Sequence, residues 1–405
     1  MNGVAMLSLH TSPLAQPGSG DSGGMNVYVR ELAAALAQAG VPTTVFVRRW
    51  RDDLPEQLSV EPLLNVVHID AGRPDLAKED LPGVLDLFAD GVAAHVAGRE
   101  PSVIHANYWL SAVAGHRLKH QLDLPLVSTF HTLARVKAIA GDHEPEGRAQ
   151  GEAEVIGCSD VICVSNEVEA RQVRQLYGPA GGRIEIVAPG VDHAFFSPGD
   201  RSGARRALGL GDEPVMLFVG RIQPLKGLDL AVAALASSEH HDAILVAVGG
   251  PSGTDGDAEL QRVLAMADEL GVTERIRFVE PQPHHLLSTF YRAADVCVVP
   301  SRSESFGLVA LEAAACGLPV VASAVGGLTT LVEDGRTGLL IDSRDPGDWA
   351  AAVDYVLDDP TRAATWSAGA AVRARTYTWS LAAGRLRRLY GDLAAQSSLV
   401  ECGAT

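Results

Sequence analysis

The sequence predicts an α/β protein built from two Rossmann-like, doubly wound domains. Short apolar runs alternate with helix-length segments through the first half of the chain, and the alternation restarts after Pro189-Gly190-Val191-Asp192. This order of elements is typical of parallel sheets that carry helices on both faces. The length of 405 residues also exceeds one ordinary domain and fits two.

The apolar runs predict the strands in chain order. In the first half these are 4–9, 43–47, 66–69, 103–106, 126–130 and 161–164, with helices at 25–39, 81–95 and 110–119. In the second half they are 215–219, 243–248, 276–279, 296–299, 320–322 and 339–341. We therefore expect domains at 1–193 and 194–380, a hinge at Ser197-Pro198-Gly199-Asp200, and a C-terminal segment, 381–405, that packs back on the first domain.

Composition excludes several classes of function. The formal net charge of −17 disfavours nucleic acid as a partner, because phosphate backbones are bound by clusters of Lys and Arg. No apolar run is long enough to span a bilayer and no signal peptide is recognisable, so we expect a cytoplasmic enzyme. The five cysteines, at positions 158, 163, 297, 316 and 402, lack metal-ligand spacing, and the sequence assigns them no function.

A glycine-rich loop joins the first predicted strand to the first predicted helix, where backbone N–H groups can bind phosphate. Gly18, Gly20 and Gly23 match the G-x-G-x-x-G spacing of dinucleotide sites. A polar segment nevertheless separates them from the strand, and the acidic residue expected about twenty positions later is missing. A nicotinamide cofactor is therefore not expected.

Two carboxylates follow the predicted strand 296–299, at the kind of strand end where open α/β sheets bind ligands. Glu304 is expected at the entrance of a helix over 307–315, where the helix dipole favours an anion, and Glu312 two turns later on about the same face. Glu312 lies among apolar residues and needs a partner, which a ligand would provide. We expect both to hold hydroxyls of one sugar nucleotide. The alternative is a helix-terminal charge and a solvated helix residue.

Two cations, Arg221 and Lys226, follow the predicted strand 215–219. The departing diphosphate of a nucleoside diphosphate sugar accumulates charge, which positioned Arg and Lys side chains stabilise most in the transition state. The alternative is a pair of solvated loop cations. Their location at a strand end of the same sheet as Glu304 and Glu312 favours the diphosphate site.

These motifs resemble a known clan. Gly-Arg-Ile-x-Pro-x-Lys-Gly at 220–227 and the Glu-x7-Glu pair at 304–312 look like those of the retaining GT-B glycosyltransferases, which include sucrose and glycogen synthases. The segments 8–18, 23–29, 108–111 and 131–137 are similar to the D-inositol-3-phosphate glycosyltransferases that open mycothiol biosynthesis in actinobacteria. The resemblance implies a GT-B fold, with two domains facing across a cleft, and often a homodimer. It also implies retaining transfer of N-acetylglucosamine from UDP-N-acetylglucosamine (UDP-GlcNAc) to 1D-myo-inositol 3-phosphate.

The resemblance implies two sets of binding residues. The inositol phosphate would be held by Lys78, Tyr108, Thr132 and Arg148, with inositol hydroxyls contacted by His10 and by Asp21, Ser22, Gly23, Gly24, Met25 and Asn26. The donor would be approached by Gln16, Pro17 and Gly24 and bound by Arg221 and Lys226 at the diphosphate, Gln282 at uracil, Glu304 at the sugar and Glu312 at the ribose.

The resemblance also bears on catalysis. His131 follows the predicted strand 126–130 and would contact the donor sugar, positioning it rather than acting as a general base. The expected catalytic residues are His131, Arg221, Lys226 and Glu304. The chemistry requires no cofactor. A structural Mg²⁺ would be held by the backbone of Tyr291, Arg292 and Ala294, although Leu318 stands where the family has Thr.

Alternative functions stay open. Ala138 replaces the Asn usual in the family, which leaves room for another acceptor such as an aminocyclitol or a natural-product intermediate. A non-catalytic sugar-nucleotide binding protein would not need Lys78 and Arg148. A sugar-nucleotide epimerase of the same two-domain fold would act without any acceptor.

Overall fold

The computed structural model describes residues 2–18, 22–98, 101–142, 144–253, 255–396 and 398–402. The chain forms two compact units. The first unit is Met1–Ala15, Met25–Gly190 and Trp379–Thr405, and the second is Gln16–Gly24 and Val191–Thr378. The glycine-rich loop, expected in the first domain, thus belongs to the second unit, where the side-chain amide of Gln16 donates to the Pro281 carbonyl at 2.9 Å.

The first unit contains an eight-stranded sheet in the order β3-β4-β2-β1-β5-β6-β7-β8. Its strands are β1 Val4–Leu7, β2 Thr43–Arg48, β3 Gln57–Glu61, β4 Leu64–Ile69, β5 Val103–Asn107, β6 Leu126–Thr129, β7 Val161–Val164 and β8 Arg183–Ile186. All described pairs are parallel except β3 with β4. The edge strands β3 and β8 were not predicted, because β3 is mostly exposed and β8 alternates charged with apolar residues, so neither gives an apolar run.

Helices cover both faces of this sheet. They are α1 Gly24–Gln38, α2 Leu85–Val96, α3 Trp109–Leu122, α4 Ala134–Ile139, α5 Glu146–Cys158 and α6 Glu167–Tyr177, with a 3-10 helix at Lys78–Val84. Side chains of β1 alternate between the two faces, as the pleat of a strand requires. Ala5 and Leu7 belong to one core, and Val4 and Met6 belong to the other.

The second unit contains a six-stranded, all-parallel sheet in the order β11-β10-β9-β12-β13-β14. Its strands are β9 Val215–Val219, β10 Ile244–Val248, β11 Ile276–Val279, β12 Val296–Val299, β13 Val320–Ser323 and β14 Gly338–Ile341. Its helices are α7 Arg201–Leu208, α8 Leu228–Ser237, α9 Gly256–Glu269, α10 Leu287–Ala293, α11 Leu308–Ala315, α12 Leu328–Leu331, α13 Pro346–Leu357 and α14 Pro360–Ala374, with 3-10 helices at Pro224–Lys226, Thr273–Arg275 and His284–Leu286. The central strands are apolar throughout because helices cover both faces.

The last helix, α15 Trp379–Ala394, returns to the first unit. Its buried face includes Trp379, Leu386 and Tyr390, which join the core of β1 and α1. The Tyr390 hydroxyl lies 2.6 Å from Nδ1 of buried His105 on β5. Among the described residues, no helix is long and apolar enough to span a membrane.

Candidate active site

Adjacent strand ends bring Lys226 and Glu304 together in the second unit. Strands β9 and β12 are hydrogen-bonded neighbours, so the loops that follow them meet at the same edge of the sheet. Lys226 ends the 3-10 helix after β9, and Glu304 lies between β12 and α11. Their Nζ and Oε2 atoms are 2.7 Å apart, and both side chains are mostly buried.

A tight backbone approach fixes the Glu304 loop. Gly326 adopts φ +48°, and a Cβ atom there would lie 1.9 Å from the Glu304 carbonyl oxygen. The same carbonyl accepts a hydrogen bond from the N–H of Gly327 at 2.9 Å. A side chain at position 326 would therefore displace the backbone that carries Glu304.

The structure corrects two expectations about the carboxylates. The helix dipole acts within the first turn of a helix, and α11 begins at Leu308, so Glu304 lies outside that turn. The positive partner of Glu304 is the ammonium group of Lys226. Glu312 does not need a ligand to compensate its burial. Its two oxygens lie 2.7 Å from Nε2 of His284 and 2.8 Å from the Tyr291 hydroxyl, which donates to it. The sequence did not reveal these partners, because they lie 28 and 21 residues away.

Other predicted donor residues lie in the same unit. Nη1 of Arg221 donates to the Ser252 hydroxyl at 3.3 Å, and a Cβ atom at Gly23 would lie 3.1 Å from Nε of Arg221. The side chain of half-buried Gln282 donates to the Glu280 carbonyl at 2.9 Å. The glycine-rich segment also includes half-buried Pro17 and exposed Gly24, the first residue of α1.

Tyr108 is the centre of the predicted phosphate site in the first unit. Its ring centroid lies 5.7 Å from Nζ of Lys78 and 4.9 Å from the guanidinium carbon of Arg148. Its hydroxyl accepts a hydrogen bond from Arg148 at 3.2 Å, and Arg148 also donates to the Thr132 hydroxyl at 2.9 Å. The ring of His10 packs 4.3 Å from the Tyr108 ring. Five residues from distant parts of the chain thus form one group.

Arg148 is the most constrained member of this group. Its side chain is 1% exposed, and every guanidinium nitrogen has a partner. Nε donates to Glu152 at 2.8 Å. Nη1 donates to the Tyr108 hydroxyl and pairs with Glu144, and Nη2 donates to the Thr132 carbonyl. Burial by itself lowers the pKa of Arg148, but Tyr108, Glu152 and Glu144 together raise it above the usual value. The guanidinium therefore stays charged.

His131 lies beside this group at the end of β6. It adopts φ +62°, its Nε2 lies 3.0 Å from Oδ1 of Asn107, and its ring contacts that of Tyr28 edge-on at 4.7 Å. Burial, with a smaller effect of nearby His105, lowers the pKa of His131 to about 3. The imidazole is therefore neutral near pH 7.

The remaining predicted acceptor residues belong to the start of α1 and to the segment that precedes it in the sequence. Nδ2 of buried Asn26 donates to the Thr11 hydroxyl and to the Ser12 carbonyl, both at 2.6 Å, so this amide holds the preceding segment in place. Met25 packs against the cores on both sides of the sheet. Ser22 is buried, and its carbonyl accepts from the N–H of Gly18 at 2.9 Å. Asp21 lies outside the described residues.

Comparisons with known proteins now bear on this arrangement. Residues 22–195 match the family model for glycosyltransferase family 4, and residues 200–373 match that for glycosyl transferases group 1. A D-inositol 3-phosphate glycosyltransferase of Acidothermus cellulolyticus is 47% identical over 97% of this chain and 91% of the relative. A protein named D-inositol 3-phosphate glycosyltransferase 2 of Catenulispora acidiphila is 45% identical over 96% of this chain and 94% of the relative.

The chain belongs to the D-inositol 3-phosphate glycosyltransferase family.

A solved structure supports the fold of this glycosyltransferase. Sucrose-phosphate synthase from Thermosynechococcus elongatus is 34% identical, with a TM-score of 0.92, over 97% of this chain and 99% of that chain. The predicted fold class, two parallel-sheet α/β domains of the GT-B type, is confirmed.

The predicted magnesium site of this family member lies at the C-terminal end of α10. Tyr291 and Arg292 are in the last turn, and Ala294 follows it. Arg205 donates to the intervening Ala293 carbonyl at 3.1 Å, so a guanidinium already places positive charge at this helix end. Leu318 offers no oxygen ligand. The ligands that remain are backbone carbonyl oxygens, without the side-chain hydroxyl of the family's Thr, and the structural Mg²⁺ stays a prediction.

Proposed function

We propose that this protein transfers N-acetylglucosamine from UDP-GlcNAc to 1D-myo-inositol 3-phosphate with retention of configuration, the first step of mycothiol biosynthesis. The grouping of Lys78, Tyr108, Thr132 and Arg148 carries this proposal. An ammonium, a guanidinium and two hydroxyls are a suitable set of donors for a phosphate dianion. The names of the relatives support inositol 3-phosphate as the phosphorylated acceptor.

Binding of phosphate requires an exchange of partners at Arg148. Buried Glu152 keeps its bond to Nε, while Glu144 is the more exposed carboxylate and also pairs with Lys137. An incoming phosphate takes the place of Glu144 at the terminal nitrogen, and Glu144 retains Lys137 as its cation. The exchange replaces one anion with another, so Arg148 is never left without a counter-charge.

On the donor side, Arg221 and Lys226 bind the diphosphate and Glu304 binds a hydroxyl of the sugar. The bond between the anomeric carbon and the diphosphate oxygen breaks while an inositol hydroxyl oxygen bonds to that carbon on the same face. The hydroxyl proton passes to the departing phosphate oxygen. The cations stabilise the charge that develops on the diphosphate, which is largest in the transition state. Neutral His131 positions the sugar.

A second candidate keeps this chemistry and changes the acceptor to a hexose phosphate. The 34% identity to a sucrose-phosphate synthase favours it, and a phosphate site of the same composition would serve both acceptors. An unphosphorylated aminocyclitol would bring no anion to Lys78 and Arg148, so the composition of this site disfavours it.

The test measures UDP release from UDP-GlcNAc with myo-inositol 1-phosphate (the L-1/D-3 isomer), a hexose phosphate, free myo-inositol or no acceptor. We expect release with the inositol phosphate only. Release with the hexose phosphate alone would favour the second candidate. UDP binding without release in any arm would favour a binding protein. Homodimer formation and a cytoplasmic location stay predictions; light scattering tests the first and cell fractionation the second.

A further inference from the structure

Four potential metal ligands meet on the surface of the first unit, away from the residues discussed above. They are His116, His120, Cys158 and Cys402, and their ligand atoms all lie within 4.8 Å of one another. Nε2 of His116 lies 3.3 Å and Nε2 of His120 lies 3.1 Å from Sγ of Cys402. Nε2 of His120 is also 3.5 Å from Sγ of Cys158. The cysteines that the sequence left without a function are therefore brought to two imidazoles.

Secondary structure places three of these ligands. His116 and His120 are four residues apart on α3, so their rings project from one face of that helix. Cys158 is the last residue of α5, which packs against α3. Because all three positions lie on packed helices, the site is largely fixed before Cys402 arrives.

A separate set of contacts holds the C-terminal tail that carries Cys402. The N–H of Val400 donates to Oδ1 of Asp160 at 2.7 Å. Asp160 is buried and pairs with Nζ of Lys119 at 2.9 Å, beside His120 on α3. A Cβ atom at Gly181 would also lie 3.1 Å from the Val400 side chain. The tail is thus docked two residues before the cysteine.

From this arrangement we infer that His116, His120, Cys158 and Cys402 bind a zinc ion. Two thiolates and two imidazoles form the Cys2His2 ligand set of structural zinc sites, and Zn²⁺ takes four such ligands in a tetrahedron. The two thiolates balance the charge of the ion, and binding releases two thiol protons.

The competing assignment is a disulfide, and in the structure the sulfur atoms of Cys158 and Cys402 are joined as one. A disulfide would account for the cysteines but would give no role to the two imidazoles whose Nε2 atoms face Sγ of Cys402. Zinc accounts for all four. In a tetrahedral site the sulfurs stand farther apart than in a disulfide, and the exposed position of Cys402 permits that adjustment.

The ion would anchor the end of the chain. Cys158 and Cys402 are separated by 244 residues, and the intervening chain includes all of Val191–Thr378 before α15 returns to the first unit. Joining such distant residues restricts the unfolded chain and stabilises the docked tail. Loss of the ion is therefore expected to release the tail without disturbing the proposed phosphate site.

Metal content tests the inference directly. The full-length protein is purified with a reductant and without a chelator, and its zinc is measured by inductively coupled plasma mass spectrometry. We expect about one zinc ion per chain. Replacement by Co²⁺ should give the visible absorption of tetrahedral cobalt bound by thiolates. Cys402→Ser and His120→Ala should both lose the metal, while Cys163→Ala, a matched control outside the cluster, should retain it.

Thiol labelling separates zinc from a disulfide. In a second preparation made without reductant, alkylation after denaturation should modify Cys158 and Cys402 in the zinc form, as it modifies Cys163, Cys297 and Cys316. Zinc-free protein in which only Cys158 and Cys402 resist labelling would overturn the inference in favour of the disulfide. Zinc-free protein with all five thiols labelled would overturn it as well. Cys402 lies on an exposed tail, so its Ser variant is expected to fold.

Discussion

The ammonium group of Lys226 lies 2.7 Å from the carboxylate of Glu304, and this ion pair joins the loops that follow two adjacent strands. Each residue thereby orients the other in the proposed donor site. Because the sheet fixes both loops, the pair is held in position before any ligand binds.

Lys226→Ala should lower kcat/KM for UDP-GlcNAc by about 100-fold or more, the usual effect of removing one group that stabilises developing negative charge. Glu304→Gln should also reduce activity, and the double variant should lose less than the sum of the two effects. Arg302→Ala is the control, because its exposed cation lies nearby and, among the described ion pairs, joins only Asp229, at 3.9 Å. Equal losses in Lys226→Ala and Arg302→Ala would contradict the assignment.

Substitution of Lys78 should weaken acceptor binding alone, whereas substitution of Arg148 should also lower the stability of the fold. Lys78→Ala should raise KM for the phosphorylated acceptor by about 10- to 100-fold, the effect of one charged hydrogen bond, with the melting temperature unchanged. Arg148→Ala should in addition destabilise the fold by about 3–5 kcal/mol, because it leaves Glu152 buried without its cation. Steady-state kinetics and thermal unfolding check both. Arg73→Ala, an exposed cation paired only with Asp75 among the described contacts, should change neither quantity.

The low pKa of His131 predicts how activity depends on pH. Because burial holds this pKa at about 3, His131 does not change its charge between pH 5 and 8. His131→Ala should lower kcat by about 10-fold or more through lost positioning, while the shape of the pH profile of kcat stays that of the wild type. A transition near pH 6.5 that disappears in this variant, but not in the exposed control His241→Ala, would show that His131 acts as a base.

Burial of His105 predicts a dependence of stability on acid. Its folded pKa is about 3, below the ordinary value of 6.5, so the unfolded chain binds more protons between these values. The free energy of unfolding should therefore fall as pH drops from 6.5 towards 3, by up to about 1.4 kcal/mol per pH unit for this group. His105→Gln should reduce the slope, measured by denaturant unfolding at several pH values. An unchanged slope would refute this prediction.

Glu312 and Tyr291 should separate a binding role from a structural one. Tyr291→Phe removes the hydroxyl that donates to Glu312 and should lower the free energy of unfolding by about 1.5–3 kcal/mol. Glu312→Gln should in addition weaken UDP binding if the carboxylate accepts from the ribose. Titration calorimetry and thermal unfolding measure the two effects, with Glu269→Gln as an exposed control. Equal UDP affinity in all three variants would assign Glu312 to the fold alone.

Local patterns in the sequence were sufficient for the buried strands and for the chemical groups that follow them, but not for the edge strands β3 and β8. Apolar runs such as 215–219 and 296–299 are recognisable as buried strands. In a parallel sheet covered on both faces, successive side chains are all apolar rather than alternately apolar and polar. The loops after such strands must meet at one edge. The proximity of Lys226 and Glu304 follows from that rule once the two strands are known to be neighbours.

Tertiary structure decided which groups are partners. His284 and Tyr291 bind the buried carboxylate of Glu312. Glu152 neutralises the buried guanidinium of Arg148. Cys402 contacts Cys158, 244 residues earlier in the chain. Strand order, helix packing and the return of α15 set these contacts, and none of them leaves a periodic signal in the chain. Sequence by itself therefore determined the fold class and the residue types that follow the predicted strands. Only the folded chain determined which charges are buried and which residues pair with them, because burial depends on neighbours that are distant in sequence.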